Sequence, residues 1–143
     1  MELLVTCKNR QTRRFLEKIT REISKMLGIS NMKPALWVSV EANSNGTEGS
    51  CIDMRSVSDT MVVTLRTGLS QERMGIALAH ELVHVRQYVR GFLKAAPRGA
   101  NVWMGKKFPA KTPYLYQPWE VQAFEKQELL FRRALDTLIK EGI

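Results

Sequence analysis

A run of five residues, His80-Glu81-Leu82-Val83-His84, restricts the folds open to this chain more than any other segment does. Residues in a helix are spaced by about 100°, so His80 and His84 lie one turn apart on the same helical face. Two imidazoles at this spacing can bind one metal ion, and Glu81 between them can act as a general base on a metal-activated water molecule. The chain has two histidines, and both belong to this run. The pattern therefore predicts a helix that binds a metal ion.

The residues around this H-E-x-x-H run indicate a helix that packs into the protein. The same pattern also occurs by chance in solvated helices, as an exposed polar patch that binds no metal. Here Ser70 is suited to be the N-cap, Glu72 lies in the first turn, and Gly91 is suited to end the helix. The histidines and Gln87 lie roughly opposite an apolar stripe, where a solvated helix would carry charges. That stripe, which should face the core, consists of Met74, Leu78, Leu82, Val85 and Val89.

Hydrophobic periodicity predicts an α+β fold with a three-stranded sheet, in a single domain that covers residues 1–143. The expected elements, in chain order, are a helix at Asn9–Leu27, strands at Leu36–Ala42, Ser50–Val57 and Met61–Thr67, the metal-binding helix, and a last helix from Pro118 to about Lys140. The turn formers in 43–49 predict a hairpin loop between the first two strands. The third strand directly precedes the metal-binding helix, so we expect it to form the sheet edge beside the active-site cleft.

The connection between the last two helices, 92–117, is long for a domain of this size. Its aromatic residues argue against disorder, and part of it is expected to form a hairpin through 102–108. We expect this connection to cover or flank the cleft.

A third metal ligand is expected on the last helix. Catalytic zinc takes three protein ligands, and the pattern H-E-x-x-H-x-x-G-x-x-H is excluded because Gln87 and Arg90 replace its glycine and third histidine. Helical phase selects Glu120, since it is centred on the apolar stripe of this helix. A carboxylate in a core is costly unless a positive charge meets it, so zinc is its natural partner. The alternatives are a preference of Glu120 for the helix N-terminus or an ion pair with a buried arginine. The other downstream acids are Glu125 and Asp136, which point to solvent, Glu128, at the edge of the stripe, and Glu141.

These residues resemble the motifs of small zincin-type zinc metallopeptidases. His80-Glu81-Leu82-Val83-His84, followed by Pro118-Trp119-Glu120-Val121-Gln122-Ala123, is similar to the gluzincin-like minimal domains (minigluzincins) and to related phage and bacterial proteins. In those proteins the second motif often reads P-W-E-x-E-A, and here Gln122 replaces its second acid. Trp103-Met104-Gly105 looks like the W-x-G element that precedes it. SprT-like proteins are a looser comparison, because they typically use a third histidine. The resemblance covers nearly the whole chain and implies a zincin-like minimal core and a zinc-dependent peptidase.

The predicted reaction is hydrolysis of a peptide bond in a protein or peptide substrate. Zn²⁺ would be bound by His80, His84 and Glu120, and Glu81 would take the proton of the attacking water. The group that stabilises the oxyanion stays open among four residues: Tyr88, Tyr114, Tyr116 and Arg86. The alternatives are an inactive pseudopeptidase with a structural metal and a basic binding module for nucleic acid.

The formal net charge of +8 bears on that last alternative. It suits nucleic acid or nucleoprotein as a partner, but it also suits solvated cationic faces without a partner. The basic residues are scattered and do not alternate with aromatic ones as in single-strand binders. Cys7 and Cys51 are expected to be reduced and not to bind zinc. No stretch is predicted to span a membrane, and residues 1–10 lack the features of a signal peptide, so a cytoplasmic location is expected.

Overall fold

The larger of two β-sheets forms one wall of the protein in the computed structural model, which describes residues 1–42 and 46–142. Its strand order is β1-β2-β4-β3, with β1 at Leu3–Thr6, β2 at Ala35–Glu41, β3 at Gly49–Met54 and β4 at Thr60–Arg66. β1, β2 and β4 run parallel, and β3 is antiparallel to β4. Burial alternates strictly along β4, where Met61, Val63 and Leu65 are fully buried. The sheet therefore has one core face and one more open face.

Four helices accompany this sheet in the described part of the chain: α1 at Arg10–Leu27, α2 at Arg55–Ser58, α3 at Gln71–Val89 and α4 at Pro118–Lys140. α1 and α3 both pack on the core face and contact each other, and α4 packs against both of them. The helix ends follow the predicted signals. Asn9 caps α1 by accepting a bond from the Thr12 amide at 3.0 Å, and Ser70 caps α3 by accepting from the Arg73 amide at 3.1 Å.

The α+β prediction is confirmed, but four details of the predicted sheet are wrong. The sheet has a fourth strand, β1, which the sequence analysis left unassigned. The predicted hairpin does not form, because β4 lies between β2 and β3, and its loop at 43–49 falls partly outside the described residues. The strand predicted at Met61–Thr67 is β4, which lies inside the sheet, and β3 forms the edge next to it. The strand predicted at Ser50–Val57 ends at Met54, where α2 begins.

The long connection between α3 and α4 contains a second sheet. Its three antiparallel strands are β5 at Leu93–Ala95, β6 at Asn101–Trp103 and β7 at Lys106–Phe108. The predicted hairpin is thus confirmed as β6–β7. Its two turn residues, Met104 and Gly105, have φ values of 48° and 86°, as a two-residue hairpin with the twist of the strands requires. A short 3₁₀ turn at Tyr114–Tyr116 then leads into α4.

Two further expectations concern the cysteines and the membrane. Cys7 and Cys51 are both free thiols, as predicted. Across 1–42 and 46–142, no helix combines the length and the apolarity that crossing a bilayer would require.

The contact between α3 and α4 depends on the absence of a side chain at Gly75. Gly75 and Phe131 are both buried, and a Cβ added to Gly75 would overlap the Phe131 ring. The glycine therefore lets the two helices approach closely enough to bury the ring between them. This close approach matters because the candidate metal ligands come from both helices.

We expect Gly75→Ala to lower the free energy of unfolding by about 1–3 kcal/mol, although alanine favours helices, because its methyl group overpacks the interface with Phe131. Urea unfolding followed by circular dichroism measures the change. The matched test combines Gly75→Ala with Phe131→Leu, which makes room for the methyl group. The double variant should lose less stability than the two single variants together. Additive losses would contradict this account of the interface.

Candidate metal centre

Three side chains from α3 and α4 converge on one point. Oε1 of Glu120 lies 2.9 Å from Nε2 of His80 and 3.1 Å from Nε2 of His84. The two histidines are buried, and the Glu120 side chain is 15% exposed. The ligand atoms of all three lie within 4.8 Å of one another, so these residues can hold a metal ion. The structure thus brings together predicted residues from two helices. His84 and Glu120 are 36 residues apart in sequence.

Gln87 fixes the orientation of His84. Its Nε2 donates to the backbone carbonyl of Trp119 at 3.0 Å, and a carbonyl can only accept, so the amide orientation is determined. Oε1 of Gln87 must then accept from Nδ1 of His84, at 2.8 Å. With the proton on Nδ1, the neutral imidazole presents the lone pair of Nε2 toward the point of convergence. Gln87 is fully buried and also bonds Gln122 at 3.0 Å, so its hydrogen-bonding capacity is used.

His80 has a matching arrangement with Gln127 on α4. Oε1 of Gln127 lies 2.8 Å from Nδ1 of His80, which again directs Nε2 toward Glu120. The ring of Phe124 packs edge-on against His80, with 4.8 Å between the ring centroids. Phe124 is 49% exposed and lines the opening of the site to solvent.

The charge state of the three residues follows from these contacts. Burial opposes ionisation of Glu120, but hydrogen bonds with His80, His84 and Tyr114 outweigh it and hold its pKa well below the ordinary value. Burial also opposes the charge on His84, but the Glu120 carboxylate raises the pKa of His84 overall. With Nδ1 bonded to Gln87, this raised pKa means that His84 also carries a proton on Nε2, in the direction in which a metal would lie. A metal would therefore bind in exchange for protons.

The dimensions fit a small divalent cation after a slight expansion. Zinc forms bonds of about 2.0–2.1 Å with imidazole nitrogen and about 2.0–2.2 Å with carboxylate oxygen, so tetrahedral ligands lie roughly 3.4 Å apart. The observed distances from Glu120 Oε1 to Nε2 of His80 and of His84 are 2.9 and 3.1 Å. The two contacts with Oε1 would lengthen by a few tenths of an ångström to admit the ion, and the three ligand atoms lie within 4.8 Å of one another. Two neutral imidazoles and one carboxylate suit zinc chemically, but the arrangement does not identify the metal.

Glu81 lies beside this cluster and faces the edge strand β3. Its Cγ would stand 3.2 Å from a Cβ added to Gly49, so the glycine makes room for the carboxylate between α3 and β3. Burial raises the pKa of Glu81, an effect that the nearby histidines partly oppose. Among the described residues, no side chain or amide is hydrogen-bonded to its carboxylate. The carboxylate is therefore available to accept a proton from a molecule bound at the site.

Two grooves meet at Glu81 and open the site to solvent. We call the first, of about 270 Å³, the Arg73 groove, and its lining includes Arg73, Ile76, Phe124 and Gln127. The second, of about 300 Å³, is the Leu93 groove, and its lining includes Cys51, Tyr88, Leu93 and Asn101. Both grooves share five residues, Thr47, Gly49, His80, Glu81 and Tyr114. A molecule that lay along β3 would therefore pass Glu81 from one groove to the other.

The four candidates for oxyanion stabilisation occupy different places. The Tyr114 hydroxyl donates to Oε1 of Glu120 at 2.8 Å, which places it at the cluster. Burial and this bond to Glu120 raise the pKa of Tyr114, so it stays a proton donor. Tyr88 lines the Leu93 groove, and burial raises its pKa to about 12. Tyr116 is 74% exposed, and Arg86 stacks over Phe92 away from the cluster.

The sequence predicted the three converging residues and a connection that flanks them, but not the roles of two glutamines. Gln127 follows Glu120 by seven residues, as Gln87 follows His80, so helical phase places each on the same face as a ligand. This seven-residue spacing could have predicted that each glutamine lies beside a candidate ligand. The expectation that the connection flanks the cleft is confirmed, since Leu93, Asn101 and Tyr114 line it. Tyr114 was one of the four candidate oxyanion donors, but nothing in the sequence singles out Leu93 or Asn101.

Comparisons with known proteins find no matching family model, no matching curated protein and no matching solved structure.

We expect Gln87→Leu to lower the affinity for zinc by about 10–100-fold, because His84 loses the acceptor that fixes its tautomer. Competition with a chromophoric chelator measures the affinity of the purified protein. Gln122→Leu is the matched control, because it removes one partner of Gln87 and leaves the bond from Gln87 to His84. An affinity for zinc that is equal in Gln87→Leu and the wild type would show that Gln87 does not position the ligand.

Proposed function

We propose that this protein is a zinc-dependent peptidase of the zincin type. The observation that carries the proposal is the convergence of two Nε2 atoms and one carboxylate oxygen beside Glu81, whose carboxylate is free of hydrogen bonds within the described residues. A purely structural metal site would not need a free carboxylate next to the ligands at the junction of two open grooves. The order of elements supports a zincin-like core, with a sheet, the H-E-x-x-H helix and a second helix that carries the glutamate ligand.

The edge strand offers a binding mode for the substrate. β3 pairs with β4 on one side, and its other edge is unpaired among the residues that the structure describes. An extended peptide can add to such an edge by backbone hydrogen bonds, with alternate side chains in pockets. The Arg73 groove and the Leu93 groove lie along this edge on either side of Glu81, where such side chains would be accommodated.

The catalytic steps assign one role to each residue. Zinc, when bound, would lower the pKa of a water molecule to about 7 and polarise the substrate carbonyl. His80, His84 and Glu120 hold the ion, and the two glutamines orient the imidazoles. Glu81 takes the proton from the attacking water and passes it to the leaving nitrogen.

Tyr114 is the oxyanion donor that this geometry favours. Its hydroxyl reaches the cluster from the connection, and its ring rests edge-on against Phe124 at 5.7 Å. A hydroxyl bonded to Glu120 in the free protein can turn toward a carbonyl oxygen as negative charge develops there. Tyr88 remains the second candidate, since it also lines the Leu93 groove.

We expect Glu81→Gln to retain zinc and to lose peptidase activity by about a hundredfold to ten-thousandfold, because the amide cannot accept the proton of water. Metal content is measured by plasma mass spectrometry. Cleavage is measured by mass spectrometry on a peptide library derived from whole-cell protein, which requires no knowledge of specificity. The reference variant is Glu120→Ala, which should lose both zinc and activity. Unchanged activity in Glu81→Gln would remove this residue from the mechanism, and a metal-free wild type would overturn the proposal.

We expect Tyr114→Phe to lower kcat by about 100–1,000-fold with little change in zinc affinity, because the variant lacks a donor for the oxyanion. Tyr116→Phe is the matched control two residues away, where the side chain is largely exposed. Both are measured with a peptide that the wild type cleaves. If Tyr114→Phe lowers the affinity for zinc and leaves kcat unchanged, the hydroxyl serves to position Glu120.

A further inference from the structure

We propose that a groove between α1, α3 and α4 binds an acidic amphipathic segment of a partner protein. This basic groove, of about 600 Å³, is lined on its cationic side by Lys25, Arg86, Lys126 and Arg133. Glu125 is the one acidic side chain in its lining. The proposal does not depend on the peptidase function, because the basic groove shares no residue with the metal centre or with the two grooves beside it.

The basic groove lies on the side of α4 that faces away from the metal ligand. Leu129 and Arg133 follow Glu120 by nine and thirteen residues, which places them about 180° and 140° from it around the helix. On α3, Arg86 lies about 160° from His84 by the same measure. A partner bound in the basic groove would therefore leave the Arg73 groove and the Leu93 groove open.

The cations of the basic groove are largely without anionic partners. Across the described residues, Arg86, Lys126 and Arg133 have no carboxylate within 4.0 Å. Lys25 contacts Glu22 at 3.1 Å but remains two-thirds exposed. The Arg86 guanidinium is stacked over the Phe92 ring at 5.5 Å, which fixes the position of its charge. Together with Lys25, Lys126 and Arg133, it forms a positive border that complements carboxylates.

The floor between these cations is apolar. Met26, Leu129 and Leu130 line it with Val83, and Leu129 is 54% exposed while Met26 is 40% exposed. The sequence periodicity of α1 places Met26 on its apolar side, yet the structure leaves this side chain open to solvent. Two large apolar side chains exposed beside each other in a concave surface favour burial by a partner.

The combination of floor and border favours an acidic amphipathic helix over nucleic acid or a membrane. An amphipathic helix inserts apolar side chains into a groove and presents its polar face to the border. A phosphate backbone has no apolar group to bury against Met26 and Leu129. A bilayer surface is flat and would not fill a concave groove. The occupant that matches both features therefore carries leucine-like residues on one face and Asp or Glu on its flanks.

The test is a direct binding measurement with a fluorescein-labelled amphipathic peptide that carries leucine on one face and glutamate on the other. Binding to the full chain is followed by fluorescence anisotropy, with and without a chelator. We expect saturable binding that is equal under both conditions. Lys126→Glu with Arg133→Glu should weaken it about tenfold or more, because two exposed border charges are reversed. Leu129→Ser, which changes the floor alone, should also weaken it.

The control variant is Lys107→Glu with Lys111→Glu, which reverses two exposed cations outside the basic groove and gives the same net charge. It should bind the peptide as the wild type does. Equal weakening in the two charge variants would overturn the proposal, since it would show that net charge alone attracts the peptide. A tenfold preference for single-stranded DNA or for anionic phosphatidylserine vesicles over the peptide would overturn it as well. Failure of zinc binding or of peptide hydrolysis would leave the result of this experiment unaffected.

Discussion

The contact between α3 and α4 is the interaction on which the candidate site depends. Two of the three converging side chains come from α3 and one comes from α4, so the site exists only while these helices keep one register. Two features hold that register. Gly75 admits the Phe131 ring between the helices, and Gln87 on α3 bonds the Trp119 carbonyl directly before Glu120. The first feature sets the distance between the helices, and the second sets the position of the ligand.

The same contact explains how a polar cluster can be buried here. An isolated carboxylate near the core would be costly, and so would two imidazoles. All four imidazole nitrogens of the cluster have a partner, since both Nδ1 atoms bond glutamine oxygens and both Nε2 atoms bond Oε1 of Glu120. Removal of one partner leaves a buried group without its bond, which costs more than a bond contributes when all are present. The cluster is therefore a cooperative unit that is formed before any metal binds.

The sequence was sufficient to select the three converging residues because their spacing is a property of single helices. His80 and His84 follow from one turn of helix, and Glu120 follows from the phase of α4, so neither requires knowledge of how the helices meet. The strand order required such knowledge and was predicted wrongly. β4 follows β3 along the chain, and a hairpin between β2 and β3 is the simplest local connection, yet β4 inserts between them. Parallel pairing of β2 with β4 depends on contacts across the sheet, which local turn residues do not encode.

Because β4 was predicted as the sheet edge, residues of β3 could not be assigned to the site. With β4 as the edge, Gly49 and Cys51 had no reason to lie near Glu81, although the structure places both along the grooves. The connection presented a different difficulty. Its aromatic residues indicated order, but the position of Tyr114 depends on how a second sheet and a 3₁₀ turn carry the chain back across α3. Such irregular segments have no periodicity from which a side-chain direction can be calculated.

The sizes of the grooves bear on how selective the proposed peptidase would be. At about 270 and 300 Å³, the Arg73 groove and the Leu93 groove lie at the lower end of the roughly 300–1,000 Å³ typical of small-molecule pockets. Each therefore accommodates few substrate groups, and shape selection in a small apolar pocket discriminates only about 10–200-fold per methylene group. A separate docking surface raises the local concentration of the substrates that carry the matching segment, without new contacts at the catalytic residues. The two faces of α4 would then divide the task, one for the chemistry and one for the choice of partner.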